Sequence, residues 1–160
     1  MRRSARLVAG GGWTALEDLD ALWQPLPGLV AYWERKRGTR SMPAPRDIDP
    51  VEIPRLMPWI TIADVTYDPL DFSYRLVGTR IVEMGGIDRT GKSLREGHEG
   101  ERLEERLAAL RELLEKKGPV ALGGRLDWLG RGYRKFQCVH LPLSDDDRTV
   151  TRLIAAYAFE

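Results

Sequence analysis

The chain has 160 residues, which fits one domain burying roughly 70% of its unfolded surface, enough for a core without disulfides or structural metals. Its 25 Lys+Arg against 24 Asp+Glu leave no overall field to draw it to nucleic acid or an anionic membrane. One cysteine, Cys138, excludes an internal disulfide and CxxC-type metal clusters and fits a reducing compartment. No apolar run approaches the ~18 residues that a membrane span needs, so the expectation is a cytoplasmic protein with no membrane insertion.

Residues 1–13 read as a flexible arm. The basic start is followed by an apolar run too short for a signal-peptide core, and Gly10, Gly11 and Gly12 maximise backbone freedom. Residues 14–58 read as N-terminal helices followed by a Pro-rich connector. Thr14 is an N-cap candidate with Glu17 three positions on, and ALEDLDALW carries Leu16, Leu19, Leu22 and Trp23 on one helical stripe that Pro25, Pro27 and Gly28 would end. LVAYWERKRG supplies a second helix with Leu29, Val30 and Trp33 on one side. The prolines rule out a continuous coiled coil, so the two helices are expected to pack on their own domain. Five prolines between Pro43 and Pro58 then predict an extended connector with at most one short turn, near Pro50 to Met57. Cations here alternate with Glu34, Asp47, Asp49 and Glu52, which indicates a paired, solvated surface rather than a nucleic-acid contact.

Residues 59–160 form the expected core. WITIADVTY and FSYRLVGT are rich in β-branched and aromatic residues and are joined by turn chemistry at Asp68, Pro69 and Asp71, predicting an antiparallel hairpin. TRIVEMGG reads as a one-to-two-turn helix. ERLEERLAALRELLEKKG is the clearest helix, with Leu103, Leu107, Leu110 and Leu114 on one face and Gly118 then Pro119 closing it. PVALGGRLDWL, GYRKFQCVHLPL and TVTRLIAAYAFE are three further strands, and the short connections make neighbours antiparallel. LIAAYAF is apolar at successive positions, which places the last strand in the middle of its sheet with both faces covered.

The order of helices, two strands, helices and three strands, with a central C-terminal strand, resembles the PAS fold. Four stretches in sequence, YWERKRG (Tyr32 to Gly38), MPAPRDIDP (Met42 to Pro50), RLVGT (Arg75 to Thr79) and GIDRTGKSL (Gly86 to Leu94), are similar to a family of single-domain PAS proteins, formerly a domain of unknown function and common in alphaproteobacteria. The resemblance implies an α+β domain with a five-stranded antiparallel sheet, helices inserted between strands two and three, and the N-terminal helices on the other face. It implies a regulatory or sensory binding module with no catalytic residues, acting through protein contact or a small ligand held between the long helix and the sheet. Arg80 and Met84 on the short helix, with Trp128, Phe136 and Tyr157 on strands, are the pocket candidates by topology. A homodimer and an unidentified signalling partner are expected. The chain stops after its last strand, so no output domain is expected within it.

The rival reading is a literal phosphate-loop match from Gly86 through Gly91, Lys92 and Ser93. Such a loop must leave a parallel strand and enter a helix, with its amides wrapping phosphates. Here a helical turn precedes it, Gly97 and Gly100 interrupt the helix after it, and the sheet is antiparallel. Cys138 and His140 share a strand face with Phe136, but two ligands do not make a zinc site. Haem-binding PAS relatives place an iron ligand slightly beyond the position of His98, and since the long helix here carries no histidine the resemblance implies no haem. Light-sensing flavin relatives carry a cysteine on the short helix after the second strand, and Thr79 to Gly86 holds none, so the resemblance implies no flavin adduct. No cofactor is therefore expected. Among the five tryptophans, Trp13 and Trp23 are the candidates for a partner surface.

Overall fold

The computed structural model describes residues 7–8, 13–126 and 131–160. Seven strands, β1 (Leu7–Val8), β2 (Trp13–Leu16), β3 (Ile60–Thr66), β4 (Asp71–Val77), β5 (Val120–Leu126), β6 (Arg131–Leu143) and β7 (Arg152–Phe159), form one sheet in the order β1-β2-β5-β6-β7-β3-β4, and every pairing is antiparallel. The five strands read from sequence are the contiguous block from β5 to β4. The C-terminal strand β7 lies between β6 and β3, and its Leu153, Ile154, Ala155 and Ala156 are all buried. A strand covered on both faces has no use for polar alternation, which is why it reads as a continuous apolar run.

The N-terminal region differs from its helical reading. Trp13–Leu16 is a strand paired with β5 through Thr14↔Gly123, Ala15↔Leu122 and Leu16↔Ala121, and only Leu19–Ala21 is helical, as a single 3₁₀ turn capped by Asp18. The leucine spacing was helical, but the exposed ladder of β5 offered backbone hydrogen bonds along a whole strand, and edge pairing overrode local propensity. Gly123 helps this docking, since a Cβ there would meet Leu16 Cδ1 at 3.2 Å. Of the arm expected over 1–13, residues 1–6 and 9–12 lie outside the described residues, while Leu7–Val8 pairs with β2.

Among the described residues, helix α1 (Leu26–Arg37) is the one α-helix before the core, and it starts earlier than read because Pro27 sits in the first turn, where a missing N–H costs nothing. It buries Leu26, Leu29, Tyr32 and Trp33 and packs on β6 and β7, with Trp33 Nε1 donating to Pro142 O at 2.9 Å. Trp23 is half-buried against the same core, and its backbone amide donates to Gln137 Oε1 at 2.8 Å. The Trp13 side chain lies outside what is described.

The connector is a series of 3₁₀ turns rather than an extended strand, at Pro45–Asp47, Pro50–Glu52 and Met57–Trp59, each with proline in its first two positions, where its fixed φ starts a turn. Two side chains tie it down. Tyr32 Oη donates to Glu52 Oε1 at 2.8 Å and accepts from the Asp49 amide at 2.9 Å, while Lys36 pairs with Glu52 at 2.9 Å. Asp147, in the β6–β7 turn with φ 62°, accepts from the amides of Ser41 and Met42 at 3.1 and 2.9 Å.

The opposite face carries α2 (Thr79–Gly85), α3 (Leu94–Gly97) and α4 (Gly100–Lys116), inserted between β4 and β5. Helix α4 buries Leu107, Leu110 and Leu114 and ends on Lys117 in the left-handed region. Among the described residues, no helix is long and apolar enough to cross a membrane.

Candidate functional site

Helix α2 begins at Gly78, and the reason is contact rather than torsion. Its φ is −63°, ordinary for any residue, yet a Cβ would stand 2.3 Å from Pro58 O and 2.5 Å from Met57 O. Gly78 therefore lies directly on the backbone of the last connector turn, and its amide donates to Ile60 O at 2.7 Å. This fixes α2 at the end of β4, with Ile81 and Met84, three apart, facing the sheet.

Between α2, α3, α4 and the sheet lies a cavity of about 470 Å³. Strand alternation sends Phe136, Cys138 and His140 of β6 and Ala155, Tyr157 and Phe159 of β7 to its floor. Tyr74 of β4 and Thr61 of β3 also line it. Alanines at 63 and 155 leave the middle of the floor low, which is where the space comes from. Above, Met84 of α2 and Leu110 and Leu113 of α4 form the roof.

The interior is uncharged. Burial pushes His140 down to about 4 and Cys138 up to about 12, so at neutral pH the imidazole is neutral and the thiol protonated. Burial also raises Tyr74, against the opposing pull of Arg89 and Arg106, and raises Tyr157 well above the usual phenol range. Cys138 Sγ lies 3.9 Å from His140 Nδ1, and the His140 and Tyr157 rings meet edge-on at 6.0 Å. These groups can donate and accept hydrogen bonds from an apolar surface, but none offers a charge or a reactive thiolate. Among the described residues, no group of three or more His, Cys, Asp or Glu is placed to hold a metal.

Of the residues read from sequence, Met84, Phe136 and Tyr157 line the cavity. Arg80 does not; it is exposed, pairs with Glu83 at 3.2 Å and lies 5.7 Å over the Trp59 ring, because the helical period that turns Ile81 and Met84 inward turns Arg80 and Glu83 outward. Trp128 lies outside the described residues. Sequence reasoning missed Tyr74 and Thr61, although the alternation of Phe72 and Tyr74 in FSYRL carried the signal; the register shift between Ile62 and Ala63 then brings Val77 rather than Leu76 to the cavity. The shared strand face of Cys138 and His140 is legible in the sequence, but their role as hydrogen-bonding groups of a cavity floor is not.

The phosphate-loop match does not form a phosphate cradle. The segment docks as a short antiparallel addition on the free edge of β4, with Gly91 N donating to Tyr74 O at 2.7 Å, Tyr74 N donating to Lys92 O at 3.0 Å and Ser73 bridging Ser93. The Lys92 amide donates to Arg89 O and the Thr90 amide to Asp88 Oδ1, so the amides a phosphate would need are spent within the fold.

A family model, PAS_5, described as a PAS domain, matches residues 23–158. No curated protein matches the chain.

Proposed function

This chain belongs to the PAS_5 family of PAS domains, and from that premise we propose that it is a sensory binding module that takes a small ligand between α2–α4 and the sheet and passes its occupancy to a second copy of the chain or to a signalling partner. PAS domains are in general regulatory modules rather than catalysts, and the site has the character of a binding pocket: a floor of hydrogen-bonding groups held neutral by burial, with no nucleophile activated by a neighbouring base. The observation that carries the reading is the cavity of about 470 Å³, a size typical of small-molecule sites, left open by alanines in the floor instead of being packed with larger side chains. Lids that take up only part of this role, the seven-residue α2 and the four-residue α3, have little intrinsic stability and depend on tertiary contacts, which suits elements that move when a ligand arrives.

The test is a thermal-shift screen of a metabolite library against the wild-type chain and Ala155→Leu, whose added side chain enters the cavity. A ligand at 100 times its Kd stabilises by about 2.7 kcal/mol and raises the melting temperature. The reading requires hits that disappear in Ala155→Leu; a library that shifts neither protein, or shifts both equally, overturns it.

A further inference from the structure

The charges around the cavity are not evenly spread. Arg89, Lys92 and Arg106 line it together with Lys116, Glu17 and Glu112. The loop carrying Arg89 and Lys92 is hydrogen-bonded to the free edge of β4 beside Tyr74, whereas Glu17 follows directly on β2. Four strands separate β2 from β4, a span of roughly 24 Å at ~4.8 Å per strand step. Helix α4 follows α3, which packs on β4, and hands the chain over to β5. Arg106, seventh of the helix's 17 residues, lies in its half nearer α3, and Glu112 and Lys116, an (i, i+4) pair, in the half that leads to β5.

Arg89, Arg106, Tyr74 and Tyr157 line the same cavity, and the two cations oppose the burial that raises the Tyr74 hydroxyl. Arg89 is laid over the end of α3, where Gly97 makes room: a Cβ there would come within 3.3 Å of Arg89 Nη1. The β4 end is thus cationic, the β5 end mixed, and the interior uncharged.

Resting on the binding-module reading above, we infer that the ligand is an apolar monocarboxylate, with its carboxylate at Arg89, Lys92 and Arg106 and its hydrocarbon body over Ala155 toward Leu122 and Phe136. An uncharged interior resists an ionised head, so the carboxylate stays at the cationic end, where guanidinium groups bind it with charge-assisted hydrogen bonds. The Tyr74 hydroxyl lies within the same charge cluster and supplies a neutral donor to the carboxylate. The volume limits the length: at about 30 Å³ per non-hydrogen atom, the share of one water in the liquid, the cavity of about 470 Å³ takes ~16 such atoms, enough for the ~14 of dodecanoate.

The experiment is calorimetric titration of the full chain with dodecanoate and with dodecanol, both below micelle formation. Wild type binds one dodecanoate per chain, about tenfold or more tighter than dodecanol. In Arg89→Gln/Arg106→Gln the preference for the acid falls to threefold or less, and Arg89→Glu, which lowers the cluster's charge by the same two units, does likewise. Equal affinity for acid and alcohol in wild type, or a preference that survives in both variants, overturns the carboxylate inference and leaves the cavity reading standing. Failure of both compounds to bind overturns the inference too, and the library screen then decides the cavity reading on its own.

Discussion

Replacing Gly78 by Ala tests how the site is assembled. The new Cβ would sit 2.3 Å from Pro58 O, 2.5 Å from Pro58 C and 2.5 Å from Met57 O. These are backbone atoms of a turn closed by the bonds from Trp59 N to Leu56 O and from Ile60 N to Met57 O, so no flexible side chain can yield. Reaching ordinary contact requires a backbone shift approaching 1 Å, an overpacking cost of about 1–3 kcal/mol. The shift also strains the 2.7 Å bond from Gly78 N to Ile60 O, whose net worth is about 1 kcal/mol. Together they predict a loss of about 2–4 kcal/mol, or a melting temperature lower by roughly 5–15 °C for a domain of this size. Gly85→Ala is the matched control in the same helix: nothing lies within 4 Å of its new Cβ, and removing a helical glycine should stabilise by about 0.5–1 kcal/mol. Thermal and urea unfolding of both variants measure the difference. A Gly78→Ala protein melting within 2 °C of wild type, a shift worth under about 1 kcal/mol, would refute the close-contact account of the RLVGT motif.

His140 should make stability acid-sensitive in a defined window. The unfolded chain takes up a proton near 6.5 and the folded one only at about 4, so stability falls as pH drops through that range, by as much as ~3 kcal/mol; urea midpoints for His140→Gln should be flatter between pH 6.5 and 4, and parallel curves would contradict this. Asp146, held at about 2 by the amides of Thr149 and Arg148 and the Ser144 hydroxyl, and Asp147, lowered by the Ser41 amide, add stability that is present above their unfolded values and lost as pH falls below them. Asp147→Ala, which loses the acceptor and strains the φ of 62°, should speed hydrogen exchange at Ser41 and Met42, with Asp147→Asn, which tolerates that φ and keeps an acceptor oxygen, restoring most protection. Cys138, buried and raised to about 12, should resist iodoacetamide in the native chain at pH 8 and react on unfolding; rapid native labelling would show that the cavity floor is more open than described.

The sheet is largely legible in the sequence, and for an identifiable reason. Leu153 to Ala156 must satisfy apolar contacts on both sides of a strand, and only a central position supplies them, so their burial is written in their order. Helix α4 was equally plain because Leu107, Leu110 and Leu114 answer to one packed face. The N-terminal strand was hidden for the opposite reason: Leu16 and its neighbours have a helical spacing, and what decides their state is the vacant ladder of β5, more than 100 residues away. The cavity was half visible. Alternation placed Phe136, Cys138 and His140 on one face, but the space itself comes from small side chains at 63 and 155 on neighbouring strands, an absence that no local pattern announces. Arg89 joined the site through the docking of its loop on β4, which the resemblance to a phosphate loop obscured.

Native mass spectrometry of the chain, freshly purified and again after adding dodecanoate, addresses the cavity most directly. A single small molecule bound per chain in wild type and lost in Ala155→Leu is the predicted spectrum. Bare protein mass under both conditions would contradict dodecanoate as the occupant, and the same adduct on the filled variant would contradict the claim that the space between α2–α4 and the sheet is the ligand site.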